Sequence, residues 1–295
     1  MLDLSHLITE TPLNETMNMD QWEIPQILAT INQEDQKVAI AVQKELPTIA
    51  KVVEVLVEQF KKGGRLFLCG AGTSGRLAVM EASECPPTFS TNPELIQGVM
   101  AGAPGAFFHA VEGAEDNKEK GREEAKLRNL TKNDMAIGIS ASGRTPYMIG
   151  FLEYAHEQNA PTAVLCSSIP TEKFADYIIA PQTGPEILTG STRLKSATAA
   201  KMVLNMITTT SMVALGKTYG NWMVDLNPNS EKLIVRATNI ICKLTDCSQE
   251  KALSLIKEAR NAKVAIVMYK KNLTKEEAIQ LLEQCNGKLS RALES

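Results

Sequence analysis

The sequence predicts an α/β protein in which a doubly wound sheet of five parallel strands is followed by a small all-helical domain. Three observations support this fold class. Short apolar runs alternate with helical stretches over most of the chain, glycine- and hydroxyl-rich turns follow two of those runs, and only short amphipathic helices occur from Glu231 onward. We expect ligands at the carboxyl ends of the strands.

Composition limits the function classes. With 295 residues, of which 44% are hydrophobic, the chain is long enough for two domains. A net charge of −3 argues against a nucleic acid or a membrane as partner. The six cysteines form no CxxC pair and no stretch resembles a signal peptide or a membrane span, so we expect free thiols, no metal ion, no cofactor and a soluble cytoplasmic protein with a small-molecule partner.

Three segments follow from the pattern along the chain. Residues 1–32 are polar and irregular and suit an N-terminal arm that packs on another subunit. Residues 33–230 contain the sheet and its flanking helices, and residues 231–295 form the helical domain. The first flanking helix has helical spacing from Glu34 and is interrupted at Pro47, which predicts one kinked helix or two.

The first glycine-rich turn follows the apolar run 66–69. Its sequence, Gly70-x-Gly72-Thr73-Ser74-Gly75, lets backbone N–H groups converge on an anion at the start of a helix. The glycine spacing also matches the dinucleotide fingerprint, but that fold needs an acidic residue at the end of a second strand about 20 positions on. Residues 85–93 contain three prolines instead, so a phosphate is the better ligand.

A second turn repeats this design after the run 135–139. It carries Ser140, Ser142, Gly143 and Thr145, and Pro146 suits the first position of a helix with Thr145 as N-cap. For any single hydroxyl, loop capping is the simpler explanation. Two such turns after two parallel strands favour a compact phosphomonoester.

The other elements complete the alternation. Strands are expected at 95–102, 162–166 and 177–180, with helices at 117–127 and 146–158. A long apolar helix runs to about Leu215 and suits a buried position or a subunit interface. Residues 221–230 form a linker, Thr274 and Glu277 form a capping box, and Asn286-Gly287 ends that helix.

Two carboxylates differ in what the sequence says about them. Glu84 immediately precedes Cys85-Pro86-Pro87 and is expected in the last turn of a helix, where the helix dipole disfavours negative charge and favours a general acid. A solvated surface carboxylate is an equally good interpretation. Glu115 lies among several acidic residues, and composition cannot single it out; Glu81 has no feature that marks it.

At these residues the sequence closely resembles the N-acetylmuramic acid 6-phosphate etherases of the sugar isomerase (SIS) superfamily. The resemblance spans nearly the whole chain. It is most specific in five blocks, residues 68–77, 81–88, 109–116, 141–147 and 189–195.

The resemblance implies cleavage of the D-lactyl ether of N-acetylmuramic acid 6-phosphate to N-acetylglucosamine 6-phosphate and D-lactate, by elimination and then addition of water, in amino sugar and peptidoglycan recycling. It also implies a SIS-like fold and a homodimer. Glu84 is implied as the acid that protonates the departing oxygen and Glu115 as a second catalytic carboxylate; neither role follows from spacing. The two turns themselves predict the substrate-binding residues, which are Thr73, Ser74, Ser140, Ser142, Gly143 and Thr145.

Two alternatives remain at the level of sequence. Phosphosugar-sensing regulators, including the glucokinase regulatory protein, and aldose–ketose isomerases resemble the same family. The regulatory protein is longer and has two such modules, and transcriptional sensors carry a basic helix-turn-helix segment that is absent here. The division of proton transfers between Glu84 and Glu115, completion of the site by a second subunit and the role of the helical domain stay open.

Overall fold

The computed structural model describes residues 7–295. The chain divides into two compact units. The first comprises the chain up to Ala82 together with Glu94–Ile207, and the second comprises Ser83–Pro93 together with Thr208–Ser295. Every helix within residues 7–295 is too short or too polar to cross a lipid bilayer.

The first unit contains the predicted five-stranded sheet, and all its strand pairs are parallel. In spatial order the strands are β2, β1, β3, β4 and β5. This confirms the predicted fold class. The strands are β1 (Leu66–Gly70), β2 (Ile96–Met100), β3 (Met135–Ile139), β4 (Thr162–Leu165) and β5 (Tyr177–Ile179).

Helices flank the strands. Every residue of β1 and β3 is buried, as expected for strands covered on both faces. The helices are α1 (Ile24–Lys44), α2 (Leu46–Lys61), α3 (Gly72–Phe89), α4 (Lys118–Leu127), α5 (Pro146–Glu157) and α6 (Lys195–Ala214). Helices α3 and α6 each begin with residues of the first unit and end with residues of the second.

The interruption predicted at Pro47 separates two helices, since α1 ends at Lys44 and α2 begins at Leu46. The predicted start at Glu34 was wrong by ten residues, because α1 already begins at Ile24 with a proline in its first turn. Ile24 and Leu28 are exposed. Sequence periodicity reveals a helix through the apolar face that it buries in the core of the chain. Ile24 and Leu28 are not part of such a face, so the start of α1 was missed.

The prediction that the helix after the first glycine-rich turn ends at Glu84, just before Cys85-Pro86-Pro87, was wrong. The helix α3 continues through Pro86 and Pro87 to Phe89, although each proline removes a backbone donor. Cys85 and Phe89 are both buried, and their packing offsets that cost. Glu84 therefore does not lie in the last turn of the helix, and the dipole argument for it does not hold.

The amino ends of β1 and β3 are joined by a buried carboxylate. Asp134 accepts hydrogen bonds from the Arg65 guanidinium at 2.9 and 3.0 Å, from the Arg65 backbone N–H at 2.8 Å and from the Thr131 backbone N–H at 2.8 Å. Burial alone raises the pKa of Asp134, but these donors outweigh it and hold the pKa below its usual value. Both carboxylate oxygens of Asp134 are therefore paired within the protein.

The second unit contains five further helices. They are α7 (Glu231–Thr245), α8 (Gln249–Ala259), α9 (Ala262–Lys271), α10 (Lys275–Gln284) and α11 (Leu289–Glu294). The capping box of Thr274 and Glu277 is present at the start of α10 as predicted, and Asn286 and Gly287 follow its end with positive φ angles. The boundary at residue 230 remains a prediction.

The core of this unit surrounds α9, where Ala265, Ile266 and Val267 are fully buried. Asp225 anchors the helix from outside it. Its carboxylate lies 2.6 Å from the Lys263 ammonium and accepts a hydrogen bond from the Asn261 amide at 3.0 Å.

Candidate active site

A cavity of about 450 Å³ lies in the first unit, where β1, β3 and β4 end. This volume suits a phosphorylated monosaccharide. Its wall includes Ile139 and Leu165, the last residues of two strands, and so lies at the carboxyl edge of the sheet. The predicted hydroxyl residues Thr73, Ser74, Ser140, Ser142 and Thr145 all line it.

The first turn is closely packed at Gly75. A Cβ at Gly75 would come within 2.8 Å of the Gly70 carbonyl oxygen and 2.6 Å of the Met100 side chain. Gly72 has a φ of +52°, which glycine adopts without strain. Thr73 and Ser74 lie in the first turn of α3. Backbone N–H groups at this end lack partners within a helix, and it is the positive end of the helix dipole.

The second turn is organised by its own hydroxyls. Ser140 Oγ lies 2.8 Å from Thr145 Oγ1 and 3.3 Å from Ser142 Oγ, and it accepts a hydrogen bond from the Gly143 N–H at 3.1 Å. Thr145 is the N-cap residue of α5, with Pro146 in the first turn as predicted, but its hydroxyl makes no capping hydrogen bond. The Thr145 hydroxyl therefore pairs with Ser140 and does not cap the backbone N–H groups of α5.

Gly143 does not line the cavity. It has a φ of +69°, and a Cβ there would lie 3.0 Å from the Pro170 ring. The residue is needed for the shape of the turn, because an L side chain at this φ would be strained. Its inclusion among substrate-binding residues stays a prediction.

Glu115 lines the cavity together with Asp116, at the end of the loop that follows β2. This loop is tethered to α3 by Arg76. The guanidinium donates to the Phe107 carbonyl oxygen at 3.0 Å and to the Ala106 carbonyl oxygen at 2.8 Å. The first turns of α3 thereby fix the loop that carries Glu115.

Part of the wall comes from residues that the sequence did not single out. Thr9 and Glu10 line the cavity from the N-terminal segment, and Gly190 and Thr192 also belong to the wall. The Gly190 N–H donates to the Thr9 carbonyl oxygen at 3.1 Å, so this segment packs on its own chain here. No motif marks Glu10, which lies in a short 3₁₀ turn within a polar stretch. Residues 1–6 of the predicted arm lie outside the described residues.

The start of α6 forms a further stretch of wall. The Glu186 carboxylate is fully buried and accepts hydrogen bonds from the backbone N–H groups of Lys195, at 3.0 Å, and Ser196, at 2.9 Å. The Lys195 ammonium pairs with Glu34 at 2.7 Å. Burial raises the pKa of Glu34, but Lys195 and Lys37 outweigh it and hold the pKa below its usual value.

The remaining predicted carboxylate, Glu84, is exposed and lies beyond Ala82, in the part of α3 that belongs to the second unit. Three residues earlier, Glu81 is buried and pairs with Lys201 at 2.8 Å. Its partner is 120 residues away, so no local pattern could have marked Glu81.

Among residues 7–295, no cluster of histidine, cysteine and acidic side chains could hold a metal ion. Burial raises the pKa of Cys166, in the cavity wall, to about 12.

Comparison with known proteins extends over the whole chain. Residues 48–156 match the glucokinase regulatory protein N-terminal SIS domain, and residues 117–210 match the SIS domain. The chain is 49% identical over 295 residues to N-acetylmuramic acid 6-phosphate etherase 2 of Lactiplantibacillus plantarum, covering 99% of this chain and 100% of that protein. This chain belongs to the N-acetylmuramic acid 6-phosphate etherase family.

A second etherase of this family, from Clostridium beijerinckii, is 49% identical over 296 residues and covers 99% of this chain and 97% of its own. Among solved structures, a phosphoheptose isomerase from Neisseria gonorrhoeae is 14% identical, with a TM-score of 0.48, over 64% of this chain and 98% of that one. The predicted family, enzyme class and SIS-type fold are confirmed. The regulator and isomerase alternatives are not favoured, because the full-length relatives are etherases.

Proposed function

We propose that this chain cleaves the D-lactyl ether of N-acetylmuramic acid 6-phosphate and releases D-lactate and N-acetylglucosamine 6-phosphate. The observation that carries the proposal is one cavity that combines two hydroxyl-bearing turns with the Glu115 carboxylate. It is supported by the relatives that match nearly the full chain, which are N-acetylmuramic acid 6-phosphate etherases.

The phosphate is assigned to the turns. Hydroxyls of Thr73, Ser74, Ser142 and Thr145 and the backbone N–H groups at the start of α3 are the donors that a phosphomonoester needs. Within the second turn, the Ser140 hydroxyl pairs with the hydroxyls of Ser142 and Thr145. A phosphate can replace these neutral contacts with charge-assisted ones, which are about twice as strong. This fixes the sugar for the reaction at C2 and C3.

Glu115 is assigned as the base. In the ring-opened sugar the C2 proton is alpha to an aldehyde, so one carboxylate can remove it. The electron pair left at C2 then forms the C2–C3 double bond as the C3–O bond breaks. The departing oxygen takes a proton from a general acid and leaves as the hydroxyl of D-lactate. Water then adds its oxygen to C3, and C2 is protonated again.

The acid is assigned to Glu84. This assignment rests on the family resemblance of residues 81–88, since the structure shows Glu84 as an exposed side chain of α3. Glu10, Glu115 and Asp116 are carboxylates in the cavity wall. Glu10 is therefore the residue to compare with Glu84 when the acid is identified.

We further propose that the enzyme is a cytoplasmic homodimer in cell-wall sugar recycling. The exposed apolar side chains Ile24, Leu28 and Ile40 of α1 are suited to a second copy of the chain. A phosphorylated sugar does not cross a bilayer because of its charge, which suits an enzyme on the side where such sugars are made. Sedimentation of the purified protein tests the dimer.

Lactate release in deuterated water tests the reaction. We expect wild type to release D-lactate and to place deuterium at C2 of the product. Glu84→Gln should stop lactate release but keep some exchange at C2, and Glu115→Gln should lose both. Free exchange in Glu115→Gln with none in Glu84→Gln would reverse the roles. Binding of the phosphosugar without lactate release by wild type would favour a regulator.

A further inference from the structure

The serine at the start of α6, Ser196, has a buried hydroxyl that the protein leaves without a partner. The residue is 4% exposed, lines the cavity, and its Oγ has no hydrogen-bond partner. Leaving a buried hydroxyl unpaired is costly, so such a group calls for an explanation. Because Ser196 belongs to the cavity wall, a molecule bound in the cavity is the candidate partner of this hydroxyl.

The other donors at this helix end are already used. The backbone N–H groups of Lys195 and Ser196 donate to Glu186, that of Ala197 donates to the Thr192 carbonyl oxygen at 3.1 Å, and that of Thr198 donates to the Leu194 carbonyl oxygen at 3.0 Å. The Glu186 carboxylate also offsets the positive end of the helix dipole. This end of α6 is therefore no phosphate site, and the group that Ser196 meets is neutral.

The surroundings of Ser196 define the shape of that group. Ala197 and Ala200 line the cavity beside it, and Ala200 lies one turn along the same face of the helix. Two methyl groups next to one hydroxyl fit a small ligand group that has a carbonyl oxygen and a methyl. Thr192, also in the wall, carries a hydroxyl that can accept an N–H.

We propose that Ser196, Ala197 and Ala200 form a subsite for the N-acetyl group of the phosphosugar. The Ser196 hydroxyl donates to the amide oxygen, and the alanines contact the methyl. The inference rests on the proposed function, because the N-acetyl group belongs to the proposed substrate. It assigns this part of α6 to recognition of the substituent at C2, whereas the two turns recognise the phosphate.

Titration of two product-like ligands tests the subsite. N-acetylglucosamine 6-phosphate and glucose 6-phosphate carry the same phosphate and differ in the substituent at C2. We expect Ser196→Ala to bind the N-acetyl ligand about 5- to 10-fold more weakly, the usual effect of one net hydrogen bond, and to bind glucose 6-phosphate as wild type does. Displacement titration gives both dissociation constants.

Thermal unfolding of the ligand-free proteins supplies a second readout. Ser196→Ala removes an unpaired hydroxyl, so its melting temperature should rise by about 2 °C. Thr183→Val is the matched control, because the Thr183 hydroxyl is also buried and unpartnered but does not line the cavity. It should raise the melting temperature similarly and leave both dissociation constants unchanged.

Equal weakening for both ligands in Ser196→Ala, no weakening for either, or a lower melting temperature would each overturn the subsite. The reaction is judged separately. Wild type that releases no lactate but shows the Ser196-dependent preference would refute the proposed reaction and keep the subsite. Lactate release by wild type, with an unchanged preference in Ser196→Ala, would keep the reaction and refute the subsite.

Discussion

The polar side chains at the two ends of the parallel sheet differ in how completely the protein pairs them by hydrogen bonds. At the amino end, Asp134 is buried, and both of its carboxylate oxygens accept hydrogen bonds from N–H groups of Arg65 and Thr131. At the carboxyl end, Ser140 and Thr145 bond each other, and the Ser196 hydroxyl bonds nothing in the protein. Polar groups saturated by the protein hold the fold, and polar groups left incomplete are available to a ligand.

The largest effect should come from the carboxyl end. Glu115→Gln keeps the size of the side chain and removes the base, so we expect kcat to fall by about 10²- to 10⁴-fold with little change in stability. Glu112→Gln is the control, since Glu112 is an exposed glutamate of the same loop that does not line the cavity. Lactate release measures both. A Glu115→Gln enzyme within twofold of wild type would remove Glu115 from the mechanism.

At the amino end the effect should fall on stability. Asp134→Asn leaves the Arg65 guanidinium without its carboxylate and should lower the free energy of unfolding by about 2–3 kcal/mol, with kcat and KM unchanged when the protein is folded. Denaturant titration measures the loss. An unchanged unfolding midpoint would mean that this pair does not hold the two strands.

The pH dependence of the same variant sharpens this test. Because the pKa of Asp134 is held below its ordinary value of 3.8, its stabilisation is present above that pH and is lost as the pH falls through the lower native value. Wild type should therefore lose stability below about pH 4 more steeply than Asp134→Asn. Equal slopes would contradict the lowered pKa.

A smaller effect is expected at the phosphate turn. Ser142→Ala removes one donor to the phosphate and should raise KM about 10- to 100-fold, the usual range for a hydrogen bond to a charged group. If phosphate binding also orients the sugar, kcat falls as well. Ser191→Ala, a hydroxyl outside the cavity wall, should change neither. Kinetics of lactate release against substrate concentration decide between these outcomes.

The sequence predicted those parts of the molecule that local patterns encode. The five strands, the interruption at Pro47 and the capping box of Thr274 reflect periodicity, proline chemistry and a short motif. The path of α3 through Pro86 was missed, because packing of buried neighbours overrides the local preference of proline.

For the site, the two turns were predictable because each carries its hydroxyls within a few residues. Glu10 and Ser196 were not, since the cavity joins them across 186 positions of sequence and neither belongs to a motif. Only the folded chain shows that the Ser196 hydroxyl lacks a partner. An unpaired group is defined by its surroundings, which sequence spacing does not describe.

The central claim is that the carboxyl end of the sheet reserves polar groups for the ligand and the amino end does not. The most direct measurement is the rise in melting temperature caused by a fixed concentration of N-acetylglucosamine 6-phosphate in wild type, Asp134→Asn and Ser142→Ala. We predict that Asp134→Asn melts lower than wild type but keeps the full ligand-induced rise, whereas Ser142→Ala melts close to wild type and loses much of the rise. A full ligand-induced rise in Ser142→Ala, or a lost one in Asp134→Asn, would contradict the account.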